Sequence, residues 1–195
     1  MLDMTERRKW LPDEVLRASG ETAPNRYCPS YPARFLVENE LVNGRILDFG
    51  CGHGFDVEYF LNHGIEAMGW DPVHRPEIPP EMYPQGYFKW IHCAFVLNTL
   101  PYSDQRLDIL VQIHNLLPND GRLILTLRSS QELIRKVKPV WKKFGDGYVT
   151  SRGTFQKGYT PAEAVELIQP LFAEITIINE NPVVIIAKKS DLARG

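Results

Sequence analysis

Apolar positions recur along the chain in two alternating rhythms. The short run Ile46-Leu47-Asp48-Phe49 after Arg45 reads as a strand. The turn Gly50-Cys51-Gly52-His53-Gly54 follows. Next comes a helical spacing with Val57, Phe60 and Leu61 on one face and Gly64 as the stop. Ile65 to Trp70 predicts a second strand that ends at Asp71-Pro72. Strand, turn, helix and strand in such close succession make one parallel βαβ unit.

The same rhythm continues on both sides. Ser30-Tyr31-Pro32 predicts a capped helix start, with the helix running through Phe35, Leu36 and Leu41 to Asn43-Gly44. Trp90 to Leu97 predicts a strand, and Ser103 to Leu117 a helix with Leu107, Leu110, Val111 and Leu117 on one stripe. Pro118-Asn119-Asp120-Gly121 is a turn before the strand Arg122 to Leu127. Thr160-Pro161-Ala162-Glu163 has the capping-box pattern. Glu174 to Ile178 and Val183 to Ala187 predict a closing antiparallel hairpin around the turn cluster Asn179 to Pro182. Between Pro72 and Gly86 five prolines interrupt the periodicity, so the helix and strand expected there are shortened or replaced by loop.

This alternation predicts an α/β fold: a doubly wound, mostly parallel Rossmann-like sheet with a C-terminal antiparallel strand and a shortened region after the second strand. Residues 1–29, with Pro12, Pro24 and Pro29, read as a polar N-terminal arm with one short helix, and residues 30–195 as the domain.

Composition narrows the class. The 195 residues are 44% hydrophobic and 24% charged with a net charge of −2, which excludes collagen-like, disordered and coiled-coil chains. No apolar run approaches the roughly 20 residues of a membrane span. Cys28, Cys51 and Cys93 contain no C-x-x-C pair, which argues against a disulfide framework or structural zinc. Met1 to Lys9 lacks an apolar core segment, so no signal peptide is expected and a cytoplasmic setting is the default. His63, His74, His92 and His114 share no ligand spacing, so no metal is predicted.

The glycine turn carries the chemistry. Glycines between a strand and a helix let a ligand approach the backbone and the helix's unpaired N–H groups. The spacing Gly50-x-Gly52-x-Gly54, with Phe55 next, departs from the dinucleotide pattern G-x-G-x-x-G. A carboxylate at Asp48 repels a pyrophosphate but suits a cationic ligand, and Asp71 is placed to accept from both hydroxyls of a ribose. The set Asp48, Gly50, Gly52 and Asp71 therefore points to S-adenosylmethionine, which carries a sulfonium and an ammonium group.

Ile46 to Gly54 resembles motif I of class I S-adenosylmethionine-dependent methyltransferases, and Asp71 matches the acidic residue ending that family's second strand. The resemblance spans residues 44 to 128 and continues in form to the C-terminal hairpin. It implies a cofactor site of Asp48, Gly50, Cys51, Gly52, Asp71, Pro72 and Phe95. A narrower likeness joins Gly50 to Val57, Gly69 to Pro76, Phe95 to Asn98 and Arg152 to Lys157, in that order. Those four segments resemble methyltransferases associated with DNA phosphorothioation systems. The chain departs from them in having His53 in place of arginine and Phe88-Lys89-Trp90 where an acidic residue precedes the strand.

The acceptor is open from sequence. Asn98-Thr99-Leu100-Pro101-Tyr102 follows a strand end, where such folds place substrate groups, and resembles in outline the Asn-Pro-Pro-Tyr element of amino-methyltransferases. Asn98 and His53 are the candidates for the chemistry, and Asn98, Tyr102, Arg152 and Lys157 for substrate binding. Residues 129–160 carry seven basic side chains against Glu132 and Asp146, interleaved with Trp141, Phe144, Tyr148, Phe155 and Tyr159. Basic plus aromatic suits nucleic acid, and equally a lid over a small molecule. Residues 138–159 are expected to cover the substrate mouth, hinged at Gly145, Gly147, Gly153 and Gly158, with Arg152 and Lys157 facing the acceptor. Two other classes stay open: a non-catalytic cofactor-binding module and a nicotinamide-dependent oxidoreductase.

Overall fold

A computed structural model describes residues 28–190 together with Gly20, Thr22 and Ala23. Apart from those few positions, the expected arm and its short helix lie outside the described residues. Ser30 sits in extended backbone and its Oγ accepts from the Ala33 N–H at 3.2 Å, which starts α1 (Tyr31–Glu38) with proline in the first turn. The helix stops short of Leu41 because Glu40 turns left-handed, with φ 52°.

The βαβ unit follows as β1 (Ile46–Phe49), α2 (Phe55–Asn62) and β2 (Ala67–Trp70). From Pro72 to Gly86 the only helical piece is one 3-10 turn, Pro80–Met82. Then come β3 (Trp90–Ala94), α3 (Ser103–Leu116) and β4 (Arg122–Leu127). A short α4 (Ser130–Lys136) leads to three small strands, β5 (Lys142–Phe144), β6 (Gly147–Val149) and β7 (Phe155–Gln156). The chain ends with α5 (Pro161–Ile168), β8 (Phe172–Glu180) and β9 (Val183–Lys189). Thr160 and Glu163 close the capping box on α5 from both sides.

The main sheet has the order β2-β1-β3-β4-β9-β8, and β9 runs antiparallel to both β4 and β8. Alternation sorts its side chains to two faces. Ile46, Trp90, Ile124, Val184 and Ile186 pack against Ala33, Leu36 and Phe60. Leu47, Ile91, Leu123, Leu125 and Ile185 pack with Leu110, Ile113 and Ile168. Helices therefore cover both faces. Leu61 and Leu107 are instead 52% and 45% exposed. On α3 the buried stripe runs through Arg106, Leu110 and Ile113. Charge satisfaction places Arg106 there: its guanidinium binds Asp146 of the small sheet at 3.3 and 2.8 Å.

Among the described residues, no helix is long and apolar enough to cross a membrane.

Candidate functional site

The C-terminal ends of β1, β2, β3 and β4 open on a cavity of about 510 Å³. Its first wall is the glycine turn: Gly50, Cys51, Gly52 and His53 line it, with Asp71, Pro72 and Phe95 beside them. Gly50 and Gly52 adopt φ 76° and 54°, angles that side chains oppose. A Cβ at Gly50 would meet Val96 Cγ2 at 2.3 Å, and one at Gly52 would meet Ala23 Cβ at 3.1 Å. Phe95 is held left-handed at φ 61°, just past the end of β3. Such outliers cluster where a ligand constrains the backbone.

Asp71 is buried, and its carboxylate gathers backbone donors. Oδ1 accepts from Val73 and His74, both at 2.9 Å, and Oδ2 from Gly52 at 3.1 Å. A carboxylate offers roughly four acceptor positions, so about one remains for a ligand hydroxyl. Both ribose hydroxyls cannot be held by Asp71 in this arrangement.

Asp48 does not line the cavity. It shares pleat parity with Ile46, which turns it toward the α1–α2 face, where Oδ1 pairs with His92 Nδ1 at 2.9 Å. Neighbouring Asp56 accepts the Ser30 N–H at 2.7 Å. Asp48, Asp56 and His92 bring their ligand atoms within 4.8 Å of one another, all buried. This polar knot ties the start of α1 to the base of the glycine turn. Burial, reinforced by the carboxylates of Asp48 and Asp71, pushes the Cys51 thiol well up.

Asn98 lines the opposite wall at 1% exposure. Thr99, Arg128, Glu132, Gln156 and Pro182 line it too, as do Tyr31 and Arg34 of α1. Sequence reasoning passed over all of these. Arg128 carried a signal, since it ends β4 at the edge where such folds hold ligands. Gln156 carried none, because a fold-back of the chain brings it there.

The remaining substrate candidates stand off the cavity. Tyr102 is 48% exposed and touches Phe144 edge-on. Arg152 is exposed on the turn between β6 and β7. Lys157 is buried, its Nζ 3.3 Å from Asp146, 3.8 Å from Glu163 and above the Tyr159 ring. Burial of Tyr159 raises its pKa to about 12, with Arg106 opposing. Lys157 therefore faces acids and a ring beneath the small sheet, not an acceptor. Of the four expected hinges, Gly147 and Gly158 are packed so tightly that a Cβ would sit 2.4 Å from Phe155 and 2.7 Å from Ser130.

A family model described as a methyltransferase domain matches residues 7–152, most of the chain. The chain belongs to this family. S-adenosylmethionine is the cofactor of methyltransferase domains of this fold. No curated protein matches the chain. Solved structures share its architecture. One is the 1,6-didemethyltoxoflavin-N1-methyltransferase of Burkholderia thailandensis, with that compound and S-adenosylhomocysteine bound. It has a TM-score of 0.62 and 20% identity over 96% of this chain and 83% of that one. An S-adenosylmethionine-dependent methyltransferase from Methanosarcina mazei has a TM-score of 0.60 and 17% identity over 83% of this chain and 99% of that one. A glycopeptide N-methyltransferase in complex with S-adenosylmethionine has a TM-score of 0.57 and 16% identity over 92% and 97%. At these identities the likeness is one of fold.

Proposed function

We propose that this chain transfers a methyl group from S-adenosylmethionine to a small polar acceptor. One observation carries the reading. A single cavity joins the side-chain-free glycine turn and Asp71 on one wall to the buried carboxamides of Asn98 and Gln156 on the other. Gly50, Cys51 and Gly52 would hold the amino-acid end of the cofactor, Asp71 one ribose hydroxyl, and Pro72 and Phe95 would offer apolar surface. When bound, the cofactor supplies an electrophilic methyl group on its sulfonium, so the protein's task is positioning. Gly20, Thr22 and Ala23 help to wall the cavity on the side of the glycine turn, which favours exclusion of water. His53 and Asn98, both on the lining, are the groups placed to act on the acceptor.

Residues 138–159 form a wall rather than a gate in this reading, pinned by Arg106, Asp146 and Lys157. The exposure of Lys142, Lys143 and Arg152 on that wall favours a second reading, in which a nucleic-acid acceptor docks there. The four short segments similar to phosphorothioation-associated methyltransferases support the same second reading, a role within a DNA-modification system. The nicotinamide reading has no support from the departed glycine spacing.

Calorimetric titration with S-adenosylhomocysteine and with NAD tests the cofactor. Binding of the first alone is expected; binding of NAD alone would overturn the reading. Release of S-adenosylhomocysteine from S-adenosylmethionine in the presence of cell extract separates an enzyme from a binding module.

A further inference from the structure

Two buried carboxamides at the far wall have hydrogen-bonding capacity that the protein leaves unused. Asn98 is 1% exposed and lines the cavity. Its Oδ1 accepts the Arg128 N–H at 3.5 Å and its backbone oxygen accepts the Lys157 N–H at 2.8 Å. No described residue accepts a hydrogen bond from its Nδ2. Gln156, immediately before Lys157, is 8% exposed and lines the same cavity, and its Oε1 has no partner. The Lys157–Asn98 hydrogen bond ties the two backbones together, so the two amides are neighbours. Arg128 adds a further buried donor without a partner, its Nε, while its Nη1 is held by Glu132 at 2.8 Å. Buried polar groups are normally paired, so an unpaired donor and acceptor facing one cavity mark a place completed by a ligand.

The arrangement also limits what that ligand is. The cavity offers donors at Asn98 and Arg128 and an acceptor at Gln156. The complement is a carbonyl beside a ring N–H. The charges nearby are already matched, since Glu132 takes both Arg128 and Lys136. A neutral group therefore fits this wall better than a charged one. Resting on the methyltransferase reading above, we propose that Asn98 and Gln156 form the recognition edge for a lactam-bearing heterocycle. Asn98 Nδ2 donates to its carbonyl, and the Gln156 amide turns its Oε1 to accept from the ring N–H. Lys157 is engaged with Asp146 and Glu163, so no free phosphate-binding cation accompanies this edge from β7. The ligand is accordingly a free heterocycle rather than a base within a nucleic acid.

The test uses the full chain saturated with S-adenosylhomocysteine. Lumazine, a fluorescent pteridine-dione with lactam N–H groups, is titrated against 1,3-dimethyllumazine, which lacks them. Lumazine is expected to bind at least tenfold more tightly, and Gln156→Met to erase that preference while S-adenosylhomocysteine affinity changes less than twofold. Asn98→Asp, which replaces the donor with an acceptor, is expected to weaken lumazine at least tenfold. Equal binding of the two probes, or binding of neither, overturns the proposal even if the variants are poorly folded, because it is read on the unaltered protein. Binding of an oligouridylate without lumazine places the lactam in a polymer and overturns the free-heterocycle assignment. Failure of S-adenosylhomocysteine itself to bind overturns the methyltransferase reading, and this edge with it.

Discussion

Arg106 of α3 and Asp146 of the small sheet meet through two hydrogen bonds, at 3.3 and 2.8 Å, with the arginine side chain 4% exposed. A parallel fork of this kind is among the stronger ion pairs. Arg106→Met should release the small sheet from α3. Asp146 is 44% exposed, so solvent screening limits the loss to about 1–2 kcal/mol. Urea denaturation of the variant checks this, and an unchanged midpoint would show that the sheet is held by Phe155 and Tyr159 packing alone.

The same pair sets an acid dependence. Burial acts to raise the Asp146 pKa, but Arg106 and Lys157 outweigh it and hold the carboxyl below its ordinary value. A depressed folded-state pKa contributes stability that is complete above the unfolded carboxylate value, about 4. That contribution is lost as pH falls through the folded-state value. The difference in Tm between the protein and Asp146→Asn should therefore be largest near neutrality and shrink steadily below about pH 4. A difference that stays constant to pH 3 would contradict this.

Asp71→Ala removes the acceptor for the Gly52, Val73 and His74 N–H groups and for a ligand hydroxyl. Cofactor affinity should fall by about 1.5–3 kcal/mol, the range for hydrogen bonds to a charged group. Calorimetry with S-adenosylhomocysteine measures it, and an unchanged Kd would exclude Asp71 from the ligand.

Gly52→Val places a branched side chain at φ 54°, with its Cβ 3.1 Å from Ala23. Cofactor binding should disappear while the far-ultraviolet circular dichroism spectrum persists. Normal binding by a folded Gly52→Val protein would show that the ligand does not touch this turn.

Cys28 is exposed, whereas burial pushes the thiols of Cys51 and Cys93 well above the usual range. Iodoacetamide at pH 8 should alkylate Cys28 first and leave the other two largely protonated and slow. Because Cys28 and Cys51 both line the cavity, saturating S-adenosylhomocysteine should slow Cys28 further. Peptide mass spectrometry follows both, and faster labelling of Cys51 would contradict the burial.

Local chemistry made much of this protein readable from its residues. The βαβ unit, the glycine turn, the capping box at Thr160 and the antiparallel hairpin at Asn181-Pro182 each depend on neighbours within a few positions. Periodicity and turn residues report such features directly. The shortened stretch from Pro72 to Gly86 was legible for the same reason. What a side chain faces across the fold was not. Asp48 reads as a cofactor ligand in its motif, yet strand parity commits it to His92 on the far face. Lys157 reads as a free cation, yet the fold brings Asp146 and Glu163 against it. Gln156 carries no motif, and reaches the cavity only because β7 returns beside Asn98. Sequence thus determined the elements and the cofactor turn, where the interactions are local. Tertiary structure decided which charges are neutralised and which amides stay unpaired, because those pairings join residues that sequence spacing keeps apart.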